Sequence, residues 1–134
     1  MSIVKGFDIL GSGMSAQRTR LNAVSSNLAN AETTRTAQGG PYARRIPIFE
    51  AVEDGDEGAG VRVSRIESDP TPGPMIYDPG HPDAGPDGYV KMPNVNVVEE
   101  MVDMMTASRS FEANVQAFQT LRDMVTSALE VGKG

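Results

Sequence analysis

Apolar residues recur in steps of three and four at both ends of this sequence and lose that rhythm in between. In the first arm the series is Ile3, Phe7, Leu10, Met14, Gln17, Leu21, Val24, Leu28 and Ala31, with only Gln17 polar. In the last arm Val97, Met101, Met104, Ser108, Phe111, Val115, Phe118, Arg122, Val125 and Leu129 repeat it, interrupted by Ser108 and Arg122. This is the spacing of a coiled-coil seam, and it predicts one long helix in each arm. Asn96 followed by Glu99 resembles a capping box, Glu100 and Asp103 suit the first turns, and Gly132 is placed to stop the second helix. Helices of roughly 28 and 35 residues would run about 40 and 50 Å, more than a compact core of this chain can cover. Leu121, Met124, Met105 and Ala128 fall beside the second seam, and apolar surface in excess of one seam asks for neighbouring subunits.

Between the arms the pattern breaks. All nine prolines lie from Pro41 to Pro93. Residues 42–49 and 61–66 carry β-branched side chains in partial alternation, which predicts a hairpin. The intervening residues 50–60, with Glu53, Asp54, Asp56 and Glu57 among three glycines, read as a long, solvated acidic loop. The Asp/Pro/Gly runs at 69–74 and 78–83 leave room only for short extended pieces at 75–77 and 89–92. The predicted fold is therefore mainly α: long N- and C-terminal helices pair as an antiparallel coiled coil, with a small β-hairpin and an extended Pro-rich insertion between them. Its segments are 1–36, the first helix and its end, 37–93, the connector, and 94–134, the second helix.

Composition sharpens this picture mainly by exclusion. At 134 residues there is room for one modest core, and with 5% aromatic residues and no Trp that core must be aliphatic and methionine-based. The net charge of −6 argues against nucleic acid as a partner, because such binding rests on phosphates neutralised by Lys and Arg. The charge is unevenly spread. Residues 1–50 carry six basic and three acidic groups (+3), and residues 51–134 carry six basic and fifteen acidic (−9), so the two parts attract each other and their neighbours. With no Cys there are no disulfides, thiolate nucleophiles or Cys-ligated metals, and a single His excludes multi-His sites. Neither a cleavable signal nor a membrane-spanning run of about 18 apolar residues is visible.

Two stretches imitate catalytic or cofactor chemistry. Residues 7–16 read as a strand, then Gly11-Ser12-Gly13-Met14-Ser15-Ala16, with Glu32 about 20 residues from the first glycines, as in a dinucleotide-binding fingerprint. The acid should end a second strand, however, and residues 21–31 are helix-patterned with no βαβ unit following. His81 sits among Asp78, Asp83 and Asp87, at spacings that match turn chemistry better than a calcium loop. No G-x-S-x-G supports a hydrolase either. No catalytic, cofactor-binding or metal-ligating residue is assigned, and a soluble adaptor built on a coiled-coil hairpin stands beside the polymer subunit as an alternative.

The arms also resemble a known family. Gly11-Ser12-Gly13-Met14-Ser15-Ala16-Gln17-Arg18, Asn22, Ser25-Ser26-Asn27-Leu28-Ala29-Asn30-Ala31 and Thr33-Thr34 are similar to the N-terminal signature of bacterial flagellar axial proteins. The stretches at 77–84, 88–90 and 93–96, with Glu99-Glu100-Met101 and residues 108–115, resemble the proximal-rod members, with another rod or hook member of the axial family as the alternative. The acidic loop at 53–60 and Gly73-Pro74 depart from that pattern. The resemblance implies a single axial domain, a structural subunit and not an enzyme, that needs no cofactor. It implies export by the flagellar type III apparatus and helical polymerisation into the hollow drive shaft of the basal body, in the periplasm. Implied partners are further copies, other rod proteins, the export apparatus and the base of the hook-basal body. The residues expected to carry assembly are the seam positions Phe7, Leu10, Met14, Leu21, Val24, Leu28, Val97, Met101, Met104, Phe111, Val115, Phe118, Val125 and Leu129. Asn27 and Asn30 are expected to serve the unpaired carbonyls at the end of the first helix. Because isolated helices are marginal until their apolar face is packed, the arms are expected to order only as subunits meet.

Overall fold

The computed structural model describes residues 2–134; Met1, assigned above to the first arm, lies outside them, as does the side chain of Glu57. The first helix, α1, spans Ile3–Ala29. Ser2 caps its start, its hydroxyl accepting the Lys5 N–H at 3.2 Å. At the other end the Asn30 N–H and its side-chain amide both donate to the Ser26 carbonyl, at 3.1 and 2.9 Å. The chain then turns back through Gly39 and Gly40, whose φ values of 82° and 75° suit glycine.

Two strands follow, β1 (Arg45–Glu53) and β2 (Ala59–Ser68), paired antiparallel around a single 3₁₀ turn at Gly55–Glu57. The hairpin is longer and its loop shorter than the acidic run predicts. Glu50 is paired across the ladder with Arg62, 2.9 Å away, so this acid sits in the strand without needing a loop. The register shifts between Ile48 and Phe49, leaving Ser64 between partnered positions, with its hydroxyl 3.3 Å from the Ile48 carbonyl. The short pieces β3 (Met75–Tyr77) and β4 (Tyr89–Lys91) pair with each other as a second antiparallel sheet, and Met92 lies just outside it. Tyr77 and Tyr89 meet edge to face at 5.3 Å. A Cβ on Gly88 (φ 81°) would lie 2.7 Å from the Tyr77 ring, so this turn is closed to larger residues.

The last helix, α2, spans Val97–Lys133. Asn96 caps it as predicted, accepting the Glu99 N–H at 3.2 Å. The helix runs through Gly132, which lacks the positive φ of a helix-stopping glycine. The two helices lie antiparallel: Phe7 touches Phe118, Arg20 is ion-paired with Asp103, and Asn27 bonds to Glu100. The β1–β2 hairpin lies along α1. Lys5 is ion-paired with Asp54 at its tip, Ser12 Oγ accepts the Val61 N–H at 3.1 Å, and Asn27 meets Arg45 at its open end. Among the described residues the buried apolar side chains are Ala16, Ala23, Val24, Tyr42, Val90 and Ala107, a small core made mostly of small residues.

Candidate assembly interface

The inner face of α2 is rotated from the seam that apolarity alone selects. A Cβ on Gly6 would lie 3.1 Å from Leu121 Cδ2, and one on Gly13 would lie 3.0 Å from Asn114 Nδ2. With Asn27 against Glu100, these contacts step along α1 in multiples of seven and back along α2 in the same steps. The α2 residues turned inward are Glu100, Met104, Ala107, Phe111, Asn114, Phe118, Leu121 and Val125, all buried or half-buried. Of the expected seam, Phe7, Leu10, Met14, Leu21, Val24 and Leu28 are at least half-buried on α1, as are Met104, Phe111, Val115, Phe118 and Val125 on α2. Val97, Met101 and Leu129 are instead 46%, 54% and 63% exposed, and Leu121, placed beside the seam by its spacing, packs in it. The reason is chemical. Every seventh inner position of α2 is Glu100, Ala107, Asn114 or Leu121, three of them polar or small. Leu121, Asn114 and Glu100 have Gly6, Gly13 and Asn27 as their partners across α1.

A polar cluster ties this helix pair to the connector. Asn27 and Glu100 are each 1% exposed. The Asn27 carbonyl oxygen accepts the Arg45 N–H at 2.9 Å and the Tyr42 hydroxyl at 2.8 Å. Its amide donates to the Arg45 carbonyl at 3.0 Å and to Glu100 Oε2 at 3.2 Å. All four bonding positions of the side chain are therefore used. Arg44 Nε donates to the other Glu100 oxygen, and that bond holds the guanidinium above its usual pKa. Asn94, three residues before α2, accepts the Arg44 N–H at 2.7 Å and donates to the carbonyls of Asp69 and Thr71. Both strands of the hairpin are thus anchored where α1 ends and α2 begins. The two asparagines divide their tasks: Asn30 serves the Ser26 carbonyl, while Asn27 reads strand β1 and Glu100. Sequence reasoning missed Glu100, Arg44, Tyr42 and Asn94; the seven-residue series 100, 107, 114, 121 is the signal that could have found the first.

The imitations of other chemistry are resolved by the same geometry. Residues 7–16 lie within the continuous α1, so Gly11 and Gly13 form no phosphate-binding turn, and among the described residues no strand precedes them. His81 Nδ1 accepts the Asp83 N–H at 3.0 Å, a turn contact, and the Asp83 carboxylate is held by Thr34 and Arg35. The Thr34 hydroxyl bond, followed by Arg35, keeps that carboxyl below its usual pKa. Among the described residues no group of three or more His, Asp or Glu is placed to hold a metal, and no helix is long and apolar enough to cross a membrane.

Outside the pair, α2 presents Val98, Met101, Val102, Met105, Met124 and Val131 to solvent. The chain exposes 9000 Å². A compact monomer of this mass exposes about 6,800 Å². Residues 126–133 of α2 run past the start of α1, and all are exposed.

Residues 7–35 match the family described as flagella basal body rod protein, and residues 87–131 match the flagellar basal body rod FlgEFG protein C-terminal family. Over 134 aligned residues, the chain is 43% identical to the flagellar basal-body rod protein FlgC of Yersinia enterocolitica, covering 99% of this chain and 100% of that one. It is 46% identical to FlgC of Aquifex aeolicus over 99% of each chain. With FlgC of Bacillus subtilis the identity is 38% over 150 aligned residues, 99% of this chain and 100% of that one. Two family matches at the two helices, and likeness to these rod proteins over nearly the whole length, establish that the chain belongs to the FlgC family of flagellar basal-body rod proteins.

Proposed function

We propose that this chain polymerises helically, with its own copies and with other rod proteins, into the hollow proximal rod of the flagellar basal body after export by the type III apparatus. Its family makes it a structural component of the basal body and not an enzyme. In this reading residues 1–36, 37–93 and 94–134 form one axial domain. The helix pair is supercoiled with its neighbours into the inner wall of the shaft, and the connector packs between subunits.

The observation that supports polymerisation is surface. The chain exposes roughly 2,000 Å² more than a compact monomer of its mass, over twice the roughly 800 Å² that each partner gives to one stable interface. Much of the apolar part lies on the outer face of α2, so neighbours would complete what one chain leaves open. Burial of one exposed Val, Leu or Met contributes about 1.5 to 3 kcal/mol, and several per subunit offset the ordering of the arms.

The test is complementation in a flagellated strain lacking its own FlgC. Expression of this chain should restore hook-basal bodies and swimming; export without rods would refute the proposal. In dilute solution, backbone amides of residues 3–29 and 97–133 should exchange quickly and become protected on assembly. A monomer fully protected without neighbours would favour a soluble adaptor.

A further inference from the structure

We infer that the cluster of Asn27, Glu100 and Arg44, supported by Asn94, is a register lock that chooses between two full-length pairings of the terminal helices. The two helices differ in length, 27 residues for α1 and 37 for α2. In the observed pairing Gly6 meets Leu121 and Gly13 meets Asn114, and the surplus of α2 projects beyond the start of α1. Sliding α2 by one heptad, about 10 Å, would bring that surplus into use and leave every turn of α1 covered.

Packing alone would accept the slide. Gly13 would face Leu121, the side chain that Gly6 already accommodates, and Gly6 would face the small Ala128. Phe7 would face Val125 in place of Phe118. The polar positions would not accept it. Asn27 would lie opposite Ala107, its amide stripped of a carboxylate partner, and Glu100 would be carried away from both Asn27 and Arg44. Asn94, which holds the Arg44 N–H and the carbonyls of Asp69 and Thr71, would be pulled from the hairpin with it. A buried polar group that is fully bonded in one register and orphaned in the next is a known means of fixing helix register. Here the cost of a wrong register also includes undocking the connector, so helix pairing and hairpin placement become one choice. These residues act as positioning residues.

Engineered cysteines read the register directly, because the chain has none of its own. Gly13→Cys with Asn114→Cys reports the observed pairing; Gly13→Cys with Leu121→Cys reports the slide, since a one-heptad offset lies beyond the reach of a disulfide in the observed pairing. The purified full-length chain is oxidised at a concentration where circular dichroism reports both helices, and intrachain disulfides are counted by mass spectrometry. In the parent the first pair should close at least about tenfold more than the second. In Asn27→Leu/Glu100→Leu, which keeps volume and removes the polar choice, that ratio should fall about tenfold. An unchanged ratio, or equal closure of both pairs in the parent, overturns the lock. Where the double variant loses its helical signal, Glu100→Gln is measured instead; it keeps shape and gives up the charge that Arg44 reads. Its ratio should fall about threefold, and no fall overturns the inference.

Discussion

Gly13 faces Asn114 so closely that a Cβ on the glycine would lie 3.0 Å from the amide nitrogen and 3.4 Å from Cγ. Two residues earlier on the same helix, Gly11 has nothing within 4 Å of the same position. The two glycines therefore respond differently to the same substitution. Gly11→Ala should stabilise the helix pair by about 0.5 to 1 kcal/mol, because alanine loses less backbone freedom in a helix. Gly13→Ala should be near neutral, the helical gain offset by the displaced Asn114 amide, and Gly13→Leu should cost about 1 to 3 kcal/mol through overpacking. Urea unfolding at a concentration where both helices are formed measures all three.

That contact also explains where the sequence leads astray. The three-and-four rhythm correctly predicts both helices, the Asn96–Glu99 spacing predicts the N-cap, and the β-branched runs predict the hairpin. What rhythm cannot supply is the rotation of α2, because the polar inner positions Glu100 and Asn114 are compensated by Asn27 and Gly13, residues far away in the chain. Judged by apolarity, Val97 and Met101 belong inside; judged by their partners, Glu100 and Asn114 do. The pairing of β3 with β4 was equally hidden, since three-residue strands carry no period, and the Tyr77–Tyr89 ring contact that accompanies it joins residues twelve apart. The strand length of the hairpin was underestimated for a similar reason: Glu50 looks like loop until Arg62 is placed opposite it.

The two asparagines of the α1 C-terminal region should differ sharply on truncation. Asn27→Ala strands the Arg45 N–H and carbonyl and one Glu100 oxygen, and leaves the Tyr42 hydroxyl with Ser26 alone. A loss of about 2 to 4 kcal/mol is expected, the scale of several unmade buried hydrogen bonds. Asn30→Ala removes a partly buried helix-end contact to Ser26 and should cost about 1 kcal/mol or less. Equal effects in denaturant unfolding would contradict the central place given to Asn27.

Acid should loosen the contacts that hold the connector in place. The carboxyls of Asp83, Asp69 and Asp54 lie below the ordinary aspartate value of 3.8. The first cause is the Thr34 hydroxyl for Asp83, the Thr71 N–H for Asp69 and Lys5 for Asp54. A depressed folded value means that the unfolded chain takes up protons first as the pH falls. The stabilisation is therefore fully present above the ordinary carboxylate range and is lost as the pH drops from about 3.8 through the lowered values. Asp83→Asn should lower stability at neutral pH and flatten the acid limb, since its proton uptake is gone. Unfolding midpoints at pH 7, 4 and 2.5 test the sign, and an unchanged acid slope would argue against Asp83 as a contributor.

The inner and outer faces of α2 should separate folding from assembly. Phe118 packs edge to face on Phe7 at 4.8 Å, and Phe118→Asp places a charge in that half-buried seam. It should cost about 3 kcal/mol and prevent the Gly13→Cys/Asn114→Cys disulfide within one chain, so both pairing and rods are lost. Met101 and Met105, at 54% and 56% exposure, sit one turn apart on the outer face, so at a concentration where circular dichroism reports both helices Met101→Glu/Met105→Glu should leave that disulfide yield unchanged, shifting stability by no more than about 0.5 kcal/mol. The charged face should nonetheless block incorporation into rods, because neighbours would have to bury two unpaired carboxylates. The decisive result is the combination: normal intrachain disulfide with no hook-basal bodies assigns this face to assembly, whereas normal swimming with the doubly charged face would place the neighbouring subunits elsewhere on the chain.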